Sequence, residues 1–198
     1  MTCPAPLPPD EAHRLARLQA LAVLDTAPEP VFDALTRLAS QVCGVPIALV
    51  SLIDAERQWF KAATGLAGVS ETPRDVAFCS HAILGSDVLE VNDARQDPRF
   101  ERNPLVCDDP HIRFYAGAPI ALDDGTRIGT LCVIDREPRE LDAHQRAMLR
   151  ELADAAAAAL AMRGRAIEQT LQAKSRYEDE LREREHRYRL LVEDQAEL

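Results

Sequence analysis

Two runs of the chain constrain its fold more than anything else: Ile47-Ala48-Leu49-Val50-Ser51-Leu52-Ile53 and Ile128-Gly129-Thr130-Leu131-Cys132-Val133-Ile134. Side chains on a strand alternate between its two faces. In Ile47–Ile53 both alternating sets are apolar (Ile47, Leu49, Ile53 against Ala48, Val50, Leu52), and most positions of both sets are apolar in the second run. Strands that are apolar on both faces must be covered on both faces. These two runs therefore read as the middle of a sheet with helices against one side and the Glu71 to Pro110 segment packed on the other.

Further strands fit around them. Arg57–Ala63 follows the first run across the turn-like Asp54-Ala55-Glu56, so a hairpin is expected. Short runs at Val88–Val91, Phe114–Leu122 and Arg127–Asp135 complete five strands, the last two joined by Asp123-Asp124-Gly125, where Asp-Gly is a strong turn signal. A helix is expected to open at Pro9-Asp10 with Leu15, Leu18, Leu21 and Ala22 at helical spacing, closing near Asp25-Thr26-Ala27-Pro28. A second should start at Glu29, with Val31, Phe32, Leu35, Leu38, Ala39 and Val42 on one face and Gly44 ending it. A long helix begins at Leu141, with Leu149, Leu152, Ala156, Leu160 and Met162 as its core face.

Composition removes several function classes. The 198 residues carry 23 basic and 33 acidic side chains, a net charge of −10, which is the wrong sign for neutralising phosphates. No stretch approaches the ~20 apolar residues of a membrane helix, and the start lacks the basic-then-apolar layout of a signal peptide, so a cytoplasmic chain is expected. Five cysteines, Cys3, Cys43, Cys79, Cys107 and Cys132, contain no CxxC pair, and the reading is reduced thiols with no metal site. Residues 1–9, with Pro4, Pro6, Pro8 and Pro9, read as a disordered tail. Residues 10–162 read as the globular part, and 163–185 as a charged helical linker. Its seven-residue phase Leu160, Ile167, Leu181, Tyr188 is interrupted by Lys174, consistent with a weak coiled coil.

Several blocks, in order, resemble a known family: Pro46–Asp54, Arg57–Lys61, Thr72–Asp75, Phe78-Cys79-Ser80-His81-Ala82-Ile83, Asp97–Phe100, Arg113–Pro119 and Gly129–Asp135. They look like the GAF domains at the front of bacterial sensor histidine kinases and diguanylate cyclases. The resemblance runs from about Leu15 to Met162. It implies an α+β fold: an antiparallel sheet of five to six strands with helices on both faces and a long C-terminal signalling helix. Residues 186–198 are similar to the opening of a PAS domain, so the chain is expected to be an N-terminal piece of a longer signalling protein.

The polar-rich Glu71 to Pro110 cover is where a small-molecule cavity is expected. Its candidate ligand-binding residues, with their surroundings, are Trp59, Phe78, Cys79, His81, Asp93, Arg99, Phe100, Arg113, Phe114 and Tyr115. Each has a bland reading too. Cys79 and His81 are too few for a metal or haem site, and His81 more simply begins a helix or hydrogen-bonds a loop. Asp97 with Pro98 reads as an N-cap and first helical position, and Arg99 and Arg113 as partners of Asp93 or Glu101. Bilin-binding relatives resemble a Cys-His dipeptide that is absent here, and the cyclic-nucleotide motif is absent as well. Free methionine-R-sulfoxide reductases share the architecture and use cysteine redox chemistry, for which Cys79 with Cys107 is the candidate pair, Cys43 and Cys132 being read as inert core. The function expected is sensory or regulatory: binding of an unidentified ligand, or homodimerisation through the first and last helices, passed along the linker to a PAS and output domain in cis. The alternatives are a redox enzyme of that reductase type and a ligand-free dimerisation module. No catalytic residue is assigned, and the sequence leaves the cofactor unknown.

Overall fold

The computed structural model describes residues 3–196, the side chains of residues 185, 186 and 188–198 excepted. Six antiparallel strands form one sheet: β1 (Ile47–Ile53), β2 (Arg57–Thr64), β3 (Glu71–Pro73), β4 (Leu89–Val91), β5 (Phe114–Ala121) and β6 (Arg127–Asp135), in the order β3-β2-β1-β6-β5-β4. The two runs apolar on both faces are thus the two central strands, and all seven residues of β1 are buried. Five strands are visible in the sequence pattern. The sixth, β3, pairs only Glu71, Thr72 and Pro73 with Trp59, Gln58 and Arg57, and so short a polar edge carries no apolar alternation.

Two cores result. On one face lie α1 (Glu11–Ala20), α2 (Pro30–Cys43) and the first part of α5 (Ala143–Ala196), whose Leu18, Phe32, Leu35, Ala39, Leu149, Leu152, Ala156 and Leu160 pack on Ala48, Val50, Leu52, Leu131 and Val133. On the other face lie two short helices, α3 (Phe78–Ala82) and α4 (Pro104–Cys107), with Phe78, Cys79, Ile83, Phe100 and Val106 on Ile47, Leu49, Tyr115, Cys132 and Ile134. The chain divides into two units, Met1–Ala161 and Met162–Leu198, with α5 belonging to both.

The helices differ from the sequence pattern in instructive places. Helix α1 stops at Ala20, not near Asp25, because Ala22 (φ 45°) and Asp25 (φ 57°) take the left-handed conformation, which ends a helix. Arg14 is buried on α1 where the pattern names only apolar residues. Its guanidinium donates to the Ile53 carbonyl at 2.6 Å and grips both oxygens of Glu11 at 2.7 Å. In α2, Pro30 occupies the first turn and Gly44 (φ 64°) closes the helix in the left-handed cap a Cβ would disfavour. Its predicted apolar face is too wide: Phe32, Leu35 and Ala39 are buried, but Val31 and Leu38 are each 47% exposed. On α5 the core face ends at Leu160, and Met162 is 64% exposed rather than buried. From Glu168 to Arg184 every side chain of that helix is exposed.

A β-bulge also sets chemistry. Val50 pairs with Ala62 but Ser51 pairs with Phe60, so Lys61 is the extra residue. Its buried ammonium meets Glu29 at 2.7 Å and donates to the Thr26 hydroxyl and the Ala27 carbonyl, each at 2.8 Å. A buried cation satisfied this way joins β2 to the segment entering α2.

Candidate functional site

The lid-side core is assembled by strand alternation. Leu49 lies opposite Cys132, Ser51 opposite Thr130, and Gly117 opposite Cys132 on the far side, so Ser51, Thr130, Cys132 and Gly117 share one patch of the sheet face beneath α3. Gly117 is there for space: a Cβ on it would lie 2.1 Å from the Tyr115 hydroxyl. The Tyr115 phenol therefore leans across Gly117 and donates to Cys79 Sγ at 3.3 Å, while Cys79 Sγ is 3.7 Å from Cys132 Sγ. Two thiols, a phenol and two hydroxyls thus meet in an otherwise apolar core. The hydroxyls of Ser51 and Thr130 are buried without an aligned hydrogen-bond partner.

This setting separates the two thiols. Burial pushes Cys79 up, but the dipoles of Cys132, Thr130, Tyr115 and Ser51 outweigh it and favour the Cys79 thiolate. Cys132 is pushed the other way, first by its hydrogen bond with Cys79, then by burial and by the charge a Cys79 thiolate places beside it. Tyr115 is raised by burial and by the same charge, so it stays a donor. Of the pair, Cys79 is the more acidic.

Of the candidate residues, Phe78, Cys79, Phe100 and Tyr115 come together here. Phe78 stacks on Phe100 with ring centroids 3.9 Å apart and planes 9° apart, and tilts against Tyr115 at 5.2 Å. His81 edges Phe100 at 4.9 Å from within α3 rather than at its start, and its Nε2 lies 3.2 Å from the Cys3 carbonyl of the proline-rich leader. Burial, its first cause, lowers the His81 pKa.

Asp93 and Arg99 sit elsewhere, lining an open depression of about 920 Å³ with Glu90, Asp97, Arg139 and Glu140. Arg99 pairs with Asp97 at 2.6 Å, and Asp93 with Arg95 at 2.7 Å, not with each other. Asp97 also caps as the sequence suggests, accepting from the Arg99 amide at 2.9 Å, although the turn it starts stops short of a helix. Arg113 donates to the carbonyls of Val106 and Ile112 at 2.8 and 3.0 Å and so braces the α4 loop instead of pairing with an acid. Trp59 and Phe114 do not join any of these: both face the helices, in the opposite core.

The thiol pair suggested by the sequence is not the one assembled. Cys107 is exposed at the end of α4, where its sulfur meets the Glu101 carbonyl at 3.6 Å, while Cys79 is 1% exposed against Cys132. Cys132 was assignable in principle, since two-residue alternation puts it on the face of Thr130 and Ile134. The Asn103-Pro104 signal was also present: Asn103 caps α4 by accepting from the Leu105 amide at 2.9 Å and ties it to the Val76 carbonyl at 2.9 Å. Among the described residues no group of three or more His, Cys, Asp or Glu is arranged to hold a metal ion, and no helix is long and apolar enough to cross a bilayer.

The GAF domain family model matches residues 27–160, which includes every strand and both faces of the sheet. The chain belongs to the GAF family. This GAF domain is 49% identical over 134 residues to a cyclic di-GMP phosphodiesterase of Pseudomonas aeruginosa, a match covering 68% of this chain but 23% of that protein. The chain therefore spans about a quarter of the length of the curated relative it matches. Among solved structures it resembles the blue-light absorbing form of the Thermosynechococcus elongatus PixJ GAF domain, at TM-score 0.58 and 16% identity, covering 79% of this chain and 93% of that one. It also resembles the free methionine-R-sulfoxide reductase of Neisseria meningitidis, at TM-score 0.54 and 18% identity, covering 85% and 99%. At such identities these two likenesses establish the shared fold.

Proposed function

We propose that this GAF domain regulates an output unit acting on cyclic di-GMP, with α5 as the output element. The observation that carries the reading is α5 itself, a single helix from Ala143 to Ala196 whose residues up to Leu160 belong to the sheet-covering core and whose side chains from Glu168 to Arg184 are exposed. A helix of that kind couples a packed domain to whatever follows, because rotation or translation at its start is transmitted along hydrogen-bonded turns. The phosphodiesterase relative supports the choice of cyclic di-GMP over a histidine kinase as the output chemistry. In the proposal a PAS-like domain starts near residue 186; the side chains on which that resemblance rests lie outside the described residues.

Homodimerisation is the second part of the proposal. Val31 and Leu38 of α2, and Leu171, Tyr177 and Leu181 of α5, leave large apolar side chains exposed. A second copy of the chain is the partner we assign to them. A ligand at the lid side would act by favouring one of two arrangements of the lid on β1, β5 and β6.

The test is a series of one-residue insertions after Arg165 in a longer protein carrying the output unit, read as cyclic di-GMP turnover. Activity is expected to oscillate with the helical repeat of about 3.6 residues, or with seven in a coiled coil. A response that is flat across the series would overturn the proposal.

A further inference from the structure

Sequence reasoning treats Cys132 as inert and Cys79 as a partner of Cys107, yet the fold stacks Cys79 on Cys132 and sets the Tyr115 phenol beside them. Their sulfurs are 3.7 Å apart, so less than 2 Å of approach separates them from a disulfide of about 2.05 Å. Cys79 lies on α3, a five-residue helix in the irregular cover, and Cys132 lies on β6, a central strand. They come from parts of the fold with different anchorage, since short elements open locally at lower cost than the strands of a sheet centre. Cys79 also receives the Tyr115 hydrogen bond at 3.3 Å, which stabilises a thiolate in a site where Cys132 stays protonated.

We propose that Cys79 and Cys132 are an oxidation site, at which a peroxide forms a disulfide that fastens the lid helix α3 to the central strand β6.

The chemistry needs hydrogen peroxide as the co-reactant, a molecule close to water in size that enters when α3 opens. The Cys79 sulfur attacks one peroxide oxygen and the O–O bond breaks. The departing hydroxide takes the Cys79 proton and leaves as water, so Cys79 becomes a sulfenic acid. The Cys132 sulfur then attacks the Cys79 sulfur and the S–O bond breaks. The Cys132 proton goes with that oxygen as a second water. Two thiols lose two electrons and two protons, and the peroxide is reduced to two waters. The bond closes a loop of 53 residues between lid and sheet, so the oxidised domain holds its cover in one position.

The inference is independent of the output chemistry and is read without it. In the chain carrying Cys3→Ser and Cys107→Ser, which removes the two exposed thiols, the folded protein is treated with a small excess of hydrogen peroxide, then denatured and alkylated. The expected product is lighter by two hydrogens and gives a linked peptide pair holding Cys79 and Cys132. Both thiols return on reduction with dithiothreitol. Cys132→Ala should instead leave Cys79 carrying one or more added oxygens. The proposal is overturned if Cys79 and Cys132 of the parent both remain fully alkylatable after exposure of the folded protein, or if Cys79 gains oxygens without any linked peptide. Should Cys132→Ala not fold, the parent's peptide map alone decides.

Discussion

Phe100→Ala removes the centre of the lid packing. The ring is 1% exposed, stacked on Phe78 at 3.9 Å, edged by His81 at 4.9 Å and covered by the Arg99 guanidinium at 5.1 Å. Truncating a buried phenylalanine to alanine costs roughly 3–5 kcal/mol, the transfer and cavity contributions together, of which about 0.5–1.5 kcal/mol belongs to the lost ring stack. For a domain of this size each kcal/mol lowers Tm by roughly 2–4 °C, so a fall of about 6–20 °C is expected. The assay is urea unfolding followed by far-ultraviolet circular dichroism and by the fluorescence of Trp59, which reports from the opposite, helix-facing core. Coincident transitions with an unchanged slope assign the shift to stability alone. Val69→Ala, at a 42% exposed position between β2 and β3 and outside the proposed dimer surface, is the control and should stay within about 0.5 kcal/mol of the parent. A Phe100→Ala loss below about 1 kcal/mol would refute the reasoning, because the lid would then not be packed as a second core.

Two other perturbations follow from geometry. Glu11 accepts from Arg14 and from Arg74 Nη1 at 2.6 Å; burial pushes its carboxyl up, but the two guanidinium groups prevail and hold it at about 2. Its folded pKa is depressed, so its contribution, on the order of 2 kcal/mol after solvent screening, is complete above about 4.5 and lost as pH falls toward 2; Glu11→Gln should flatten urea midpoints over that window. Gly117→Ala places a methyl 2.1 Å from the Tyr115 hydroxyl and should cost about 1–3 kcal/mol, most of it recovered in the Gly117→Ala, Tyr115→Leu double variant. If the double variant is no more stable than the single one, the clash is not with Tyr115.

What the sequence reveals here follows from range. Two-sided apolar strands declare their central position, and Gly44 declares the end of α2, because both signals are local. The register that brings Cys132 beneath Cys79 depends on how far the cover folds back, which no local pattern encodes. The ionic partners were missed for a related reason. Arg99 and Asp93 each found the nearest acid or base two residues away, and Arg113 satisfied two carbonyls, whereas charge alone matched them with each other or with Glu101. As aromatic walls Trp59 and Phe114 are expected on the lid side, but alternation along β2 turns Trp59, and alternation along β5 turns Phe114, to the helices. Leu160 occupies the seven-residue phase of the linker, yet it is buried in the core of its own domain, so the proposed interchain seam can begin only after it.

A spin label at Leu181→Cys, in the chain carrying Cys3→Ser and Cys107→Ser so that only buried thiols remain, probes that seam directly. Leu181 is 42% exposed on the part of α5 that pairs in the proposed dimer, where two parallel copies of α5 bring the labels face to face. Pulsed dipolar spectroscopy should return one narrow interchain distance of about 10–20 Å, the span of two packed helices plus their labels. A decay with no interchain dipolar modulation, at concentrations where the chain is otherwise intact, would contradict the account of α5 as a paired output helix.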